Sequence, residues 1–119
     1  MKTITTLIAA VTIALVAGNC LAADAQRGKL LFESPTFGGG TSGKSCLTCH
    51  EHGRDFSPET LSRKAYTIMD NPVATLGGVI NFCIEVALRG EAIPENSEDM
   101  QDLIAYLSLL IKENSEKPE

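Results

Sequence analysis

Two cysteines separated by two residues, with a histidine directly after, constrain this chain more than any other stretch: Cys46-Leu47-Thr48-Cys49-His50. Cys-x-x-Cys-His is the attachment signature of a c-type haem. The spacing has a chemical reason. On one helical turn the two thiols lie along one edge of a porphyrin, where each can add to a vinyl group and become a thioether. His50 then swings beneath the ring and offers an imidazole nitrogen to the iron. Such a tether keeps the group in place where no large core could enclose it. Two other readings stay open. Half of a zinc site needs two more ligands at similar spacing, and there is no second Cys-x-x-Cys. A dithiol redox motif needs a βαβ context, which the chain lacks.

The residues flanking the motif carry a resemblance. Gly28 is followed four positions later by the aromatic Phe32, and near the other end stands Leu103-Ile104-Ala105-Tyr106-Leu107. With the haem motif between them, these segments make the chain resemble a class I monohaem cytochrome c. The likeness covers nearly everything after residue 24 and is weakest between residues 51 and 95. It implies an all-α fold in which N- and C-terminal helices cross at close quarters, the glycine allowing the approach. Helices and loops would wrap around one covalent haem held by Cys46, Cys49 and His50.

At 119 residues there is room for one domain. Aromatics are only 5% and tryptophan is absent, so a covalent haem would supply apolar bulk that the core lacks. Residues 1–23 read as a cleaved secretory signal: Lys2, an apolar run from Ile4 to Ala17, then small residues up to Ala23. An uncleaved anchor and a lipid-modified Cys20 are the alternatives. Haem is joined to this motif outside the bacterial inner membrane, so leader and motif both predict the periplasm. The domain proper is 24–119. Without Lys2 it carries nine basic against fifteen acidic residues, a net charge of −6. That balance argues against nucleic acid or anionic membrane as partner and permits a basic docking face on a redox partner protein.

Along the chain, residues 24–33 read as a helix capped by Asp24, with Ala25, Leu30, Leu31 and Phe32 apolar, and stopped by Ser34-Pro35. Residues 36–45 hold four glycines in six positions and read as a loop. Gly43-Lys44-Ser45 imitates only the tail of a phosphate-binding loop. Residues 59–70 read as a helix with Leu61, Ala65, Ile68 and Met69 inward, broken by Asn71-Pro72. Residues 79–89 read as another, with Ile80, Cys83, Val86 and Ala87 on one face and Gly90 ending it. The last helix starts at Asn96 or Ser97 and buries Met100, Leu103, Ile104, Leu107 and Ile111, with residues 113–119 frayed. No strand is expected.

The resemblance also sets expectations for the iron. In the family a proline carbonyl accepts the hydrogen of the axial imidazole, and Pro58 is the one candidate here. His52 is expected in solvent. Most electron carriers of the family add a methionine sulfur shortly before the last helix, but residues 84–96 contain none. Three residues compete for the sixth position: Cys83, Met69 and Met100. Cys83 is the unpaired thiol once Cys20 is removed and two cysteines hold haem. Ile80-Asn81-Phe82-Cys83, with Leu88-Arg89-Gly90 and Ser97-Glu98-Asp99-Met100, resembles cytochromes of thiosulfate oxidation, in which a cysteine can ligate the iron. A buried, inert thiol is the other reading of Cys83. Asn81 beside it is a further option.

The expected function is a periplasmic single-haem electron carrier between redox partner proteins, not an enzyme. One rival is a haem subunit or enzyme of sulfur-compound oxidation, taking a small sulfur anion. Against that reading, the chain shows no cluster of Arg or Lys poised for an anion beyond Arg54 and Arg63-Lys64, which read equally well as solvated. The other rival is a sensor binding a diatomic gas at a labile sixth site.

Overall fold

A computed structural model describes residues 22–117. The first helix, α1 (Ala25–Glu33), starts where Asp24 accepts the backbone N–H groups of Gln26 and Arg27 at 2.8 and 3.2 Å. This satisfies two of the donors that every helix leaves open at its start. It stops where Ser34, ahead of Pro35, turns extended. The last helix, α5 (Glu98–Glu116), is capped by Ser97, with Glu98 and Asp99 at its positive end.

These two terminal helices pack against each other, as expected. Gly28 and Phe32 are the buried residues of α1; Met100, Asp102, Leu103, Leu107, Leu110 and Ile111 are those of α5. Phe32 meets Tyr106 edge to face at 5.4 Å. Asp102, only 1% exposed, accepts the N–H of Asp24 at 2.6 Å. Its second oxygen lies 2.9 Å from Arg27 but off the line of the N–H, so that contact is Coulombic. Arg27 also pairs with Glu98 and Asp99. Leu30 departs from expectation: it is 67% exposed, because the face of α1 that meets α5 is centred on Gly28 and Phe32.

Between the terminal helices the chain is a string of short elements. The glycine loop makes a 3₁₀ turn (Phe37–Gly39) and hangs on the middle of the chain: Thr41 and Ser42 both donate to the Leu88 carbonyl, and Glu91 to that of Gly38. Helix α2 (Cys46–Cys49) is a single turn begun by a Ser45–Thr48 capping box. A 3₁₀ turn (Glu51–Gly53) follows, then α3 (Pro58–Ser62), with Pro58 at its first turn.

The helix expected over 59–70 is corrected here. Helix α3 ends at Ser62, and Tyr66–Ile68 (β1) pairs antiparallel with Asn71–Val73 (β2), so the fold is mostly helical with one hairpin rather than all-α. Tyr66, Thr67 and Ile68 are aromatic or β-branched and suit a pleated strand. Pro72 sits opposite Thr67 in this two-stranded ribbon, where a missing N–H is tolerated. The reversal is made by Met69 and Asp70, both left-handed at φ 48° and 64°. Of the residues expected inward, Ala65 and Met69 are exposed.

The 79–89 helix is also corrected. It begins earlier, as α4 (Leu76–Cys83), because Thr75 caps it. It continues as a wide π-helical turn (Ile84–Leu88). Ile80, Ile84 and Leu88 form its buried side, and Val86 is 52% exposed. The left-handed end falls at Arg89 rather than Gly90. Gly90 has another use: a Cβ there would lie 2.4 Å from the Gly38 carbonyl oxygen, so it must be small for the glycine loop to close. Finally, α5 runs through 113–116 instead of fraying, held by Asn114, which donates to the carbonyls of His52 and Gly53. The proposed leader, residues 1–21 of its 23, lies outside the described residues.

Candidate functional site

A cavity of about 420 Å³ opens between α2, the hairpin, α4 and α5. That falls in the usual size range of cofactor pockets, about 300–1,000 Å³. Its walls are mostly apolar, with Phe32, Tyr66, Leu76, Ile80, Leu103 and Leu107 among them. Into these walls are set Cys46, His50, Cys83, Asp55 and Arg63.

Helix α2 brings Cys46 and Cys49 onto one turn, and the His50 N–H donates to the Cys46 carbonyl at 2.9 Å, closing it. Cys46 is half-buried and Cys49 exposed. Neither is in a disulfide, nor is Cys83. The thiols are electrostatic neighbours. Burial pushes Cys46 up to about 11, with the facing charge of Cys83 and then Cys49 adding to the rise. Burial, then Cys49, pushes Cys83 up as well. Cys46 and Cys83 therefore favour the neutral thiol over the thiolate in this apolar setting.

His50 is gripped from two sides. The Phe56 ring lies 4.7 Å from the imidazole centre, tilted by 31°. Asp55 Oδ2 lies 2.5 Å from His50 Nδ1. An ionised carboxylate can only accept, so Nδ1 is the donor of this contact, and in the neutral imidazole Nε2 is then the nitrogen with the free lone pair. This corrects the expectation placed on Pro58: Asp55, not a proline carbonyl, meets the imidazole. Pro58 is instead occupied in starting α3.

The loop that returns Asp55 to His50 is built on left-handed backbone at His52 and Gly53, φ 56° and 59°. A side chain at Gly53 would collide with Leu110, 2.5 Å from the Cβ position, and would strain the turn as well. His52 itself is exposed.

The three competitors for the sixth position separate. Cys83 lines the cavity with Cys46 and His50. Met69 is 73% exposed at the hairpin tip and Met100 is fully buried in the core; neither lines the cavity. Asn81 is engaged elsewhere: its amide donates to the Ile93 carbonyl at 2.8 Å and accepts the Ile93 N–H at 2.9 Å. Among the described residues no group of three or more His, Cys, Asp or Glu side chains could hold a bare metal ion. Cys46, Cys49 and His50 could hold a covalent haem, with Cys83 facing the same space.

Sequence reasoning missed Asp55, Phe56 and the cavity position of Arg63. Gly53 was the available signal for the first two, since a glycine just past the motif permits the sharp return. Among the described residues no helix is long and apolar enough to cross a membrane. Comparison with protein-family models, curated proteins and solved structures finds no match to this chain.

Proposed function

We propose that this chain is a single-haem c-type cytochrome of the class I kind that carries one electron between redox partner proteins. The observation that carries the reading is the convergence of Cys46, His50 and Cys83 on one apolar cavity, with Cys49 on the same helical turn as Cys46. The residues fit the group. Two thiols on one turn can be tethered to a ring edge, the imidazole has its Nε2 free, and the walls are apolar. The packing of α1 on α5 across Gly28 fits the same family.

Haem, when bound, supplies a one-electron Fe(III)/Fe(II) couple. The chain's own residues do the rest. Cys46 and Cys49 would tether the group, His50 would ligate its iron, and Phe32, Ile80 and Leu103 would keep water from it. Cys83 would be the second protein ligand; its place in the cavity wall supports it over Met69 and Met100. The compartment proposed is the periplasm, on the strength of residues 1–23 and the haem motif together.

A second reading has one observation in its favour: Arg63 and Cys83 line the same cavity. A cation beside a displaceable thiolate suits a small sulfur anion, as in a haem subunit of thiosulfate-type oxidation. A gas sensor would need the same displaceable ligand.

The test is expression in a host able to attach haem, followed by the pyridine haemochrome spectrum and the intact mass. The expected result is one haem per chain, resistant to acid–acetone extraction, and lost in the Cys46→Ala, Cys49→Ala double variant. A protein that matures without haem would end the proposal. Carbon monoxide and thiosulfate added to the reduced and oxidised forms then separate the readings. No spectral change leaves the electron carrier, and a saturable one favours a ligand-binding site.

A further inference from the structure

We infer that Asp55 is the positioning residue of His50: its carboxylate fixes the Nδ1–H tautomer and makes the imidazole a stronger donor to the iron. The inference rests on the haem reading above and goes one residue beyond it. No spacing rule joins a histidine to a carboxylate five residues on; the contact is made by this loop.

The loop is built to make it. Gly53 donates to the His50 carbonyl and Phe56 to that of Gly53, each at 3.0 Å, so the chain coils back on itself immediately after the motif. Asn114 of α5 ties down the His52 and Gly53 carbonyls at 3.0 and 3.3 Å. Leu110 fills the space under Gly53. Phe56 then backs the imidazole ring while Asp55 meets its edge at 2.5 Å. The tautomer and the ring orientation are thus set by the chain before any ligand is bound.

The chemical consequence has a definite sign. A histidine that donates its second N–H to a carboxylate is a more basic ligand than one that donates to a neutral carbonyl. More charge reaches the metal, and the ferric state gains relative to the ferrous. The Asp55 side chain is 52% exposed and that of His50 is 35% exposed, so water screens part of the effect. A partner this exposed is therefore expected to act at the weak end of what such a carboxylate contributes.

The experiment measures the reduction potential and the hyperfine-shifted His50 ring resonances of the haem-loaded protein. Four forms are compared: wild type, Asp55→Asn, Asp55→Glu and Glu51→Gln. Glu51 is an exposed carboxylate that pairs with Arg54, so Glu51→Gln removes a nearby charge without touching the imidazole. Asp55→Asn is expected to lower the ferric-over-ferrous preference about tenfold, about 59 mV for one electron. It is also expected to shift the His50 Nδ1 proton. Asp55→Glu recovers most of the wild-type potential, and Glu51→Gln moves it several-fold less than Asp55→Asn. The inference is overturned if Asp55→Asn moves the potential no more than Glu51→Gln and leaves the ring resonances in place. Wild-type protein without covalent haem overturns the haem reading itself, and this inference with it. The haemochrome spectrum registers that failure before any potential is read, so the two failures are distinct.

Discussion

A Cβ placed on Gly28 would lie 1.9 Å from the carbonyl oxygen of Asp102, and 2.7 Å from the Cβ of Tyr106. Backbone therefore meets backbone where α1 crosses α5. Gly28→Ala separates predictions of opposite sign. If Gly28 were merely a helix residue, alanine would stabilise by about 1 kcal/mol. Because α1 must move away from α5 to admit a methyl, the expected result is destabilisation by roughly 3 kcal/mol. For a domain of this size the melting temperature should fall by about 10 °C or more. Thermal unfolding followed by circular dichroism decides it.

Asp102 joins the same two helices through charge. It receives the Asp24 N–H and faces the Arg27 guanidinium from a buried position. Asp102→Ala leaves that N–H and the inner side of Arg27 without their partner. A loss of about 2 kcal/mol is expected, from the hydrogen bond between the Asp24 N–H and a charged acceptor; the contact with half-exposed Arg27 adds little. Asp102→Asn should cost clearly less, since its amide oxygen can still accept from Asp24. Urea unfolding of the two variants side by side measures the difference. Equal losses would mean that the Coulombic part dominates and the cap contact matters little.

How much of this was legible in the sequence depends on the distance over which the deciding interaction acts. Both ends of α1 and the start of α5 were readable because Asp24, Ser34-Pro35 and Ser97 cap or break a helix locally. The α2 turn was readable because the Cys-x-x-Cys spacing is that of a single helical turn. The hairpin was not, because Leu61, Ala65 and Ile68 fall at helical intervals by accident. What decided the matter was cross-strand pairing of Tyr66 with Val73, which no local rule reports. The buried side of α4 was misjudged for a similar reason: the π turn after Cys83 shifts the register of everything beyond it. Asp55 was invisible because its approach to His50 depends on Asn114, some 60 positions away, holding the loop.

The hairpin tip offers a gain in stability. Met69 and Asp70 both take left-handed backbone, which disfavours side chains by roughly 1–2 kcal/mol per residue and is the natural place for Asn-Gly. The double variant Met69→Asn, Asp70→Gly is expected to stabilise the protein by about 1 kcal/mol. Its visible absorption spectrum should be unchanged, because Met69 stands outside the cavity. Thermal unfolding and the oxidised spectrum together check both statements. Loss of a near-infrared methionine–iron band would instead return Met69 to the iron.

The thiols of the haem-free chain should differ in reactivity. With its pKa raised to about 11, Cys46 is only about 0.1% thiolate at pH 8, and the thiolate is the nucleophile. The sign follows directly: a raised pKa keeps the neutral thiol over a wider range, so reactivity arrives later as pH rises. Alkylation by iodoacetamide should label exposed Cys49 first, while labelling of Cys46 climbs about tenfold per pH unit between pH 8 and 10. Peptide mapping by mass spectrometry follows each site. Cys46 reacting at pH 8 as fast as a free cysteine would mean that the haem-free chain does not hold this buried geometry.

If the chain carries haem as proposed, Cys83 decides what kind of haem protein it is. Its thiol is half-buried beside Cys46 and His50, and the π turn begins at the next residue, where irregular helices commonly mark working positions. A thiolate donates charge and stabilises the ferric state, whereas methionine opposite histidine raises the reduction potential. Cys83→Ala is therefore expected to remove a low-spin thiolate signature from the electron paramagnetic resonance spectrum of the oxidised protein. It should also raise the reduction potential, with covalent haem content unchanged. The size of the cavity left by Cys→Ala is about one sulfur atom, so stability should fall by only about 1 kcal/mol. The potential and the melting curve are thus separate readouts. A potential that stays put while stability drops by that amount makes Cys83 a packing residue. The sixth ligand would then have to come from Met69 or Met100, which requires the hairpin tip or α5 to move toward the cavity when haem is bound.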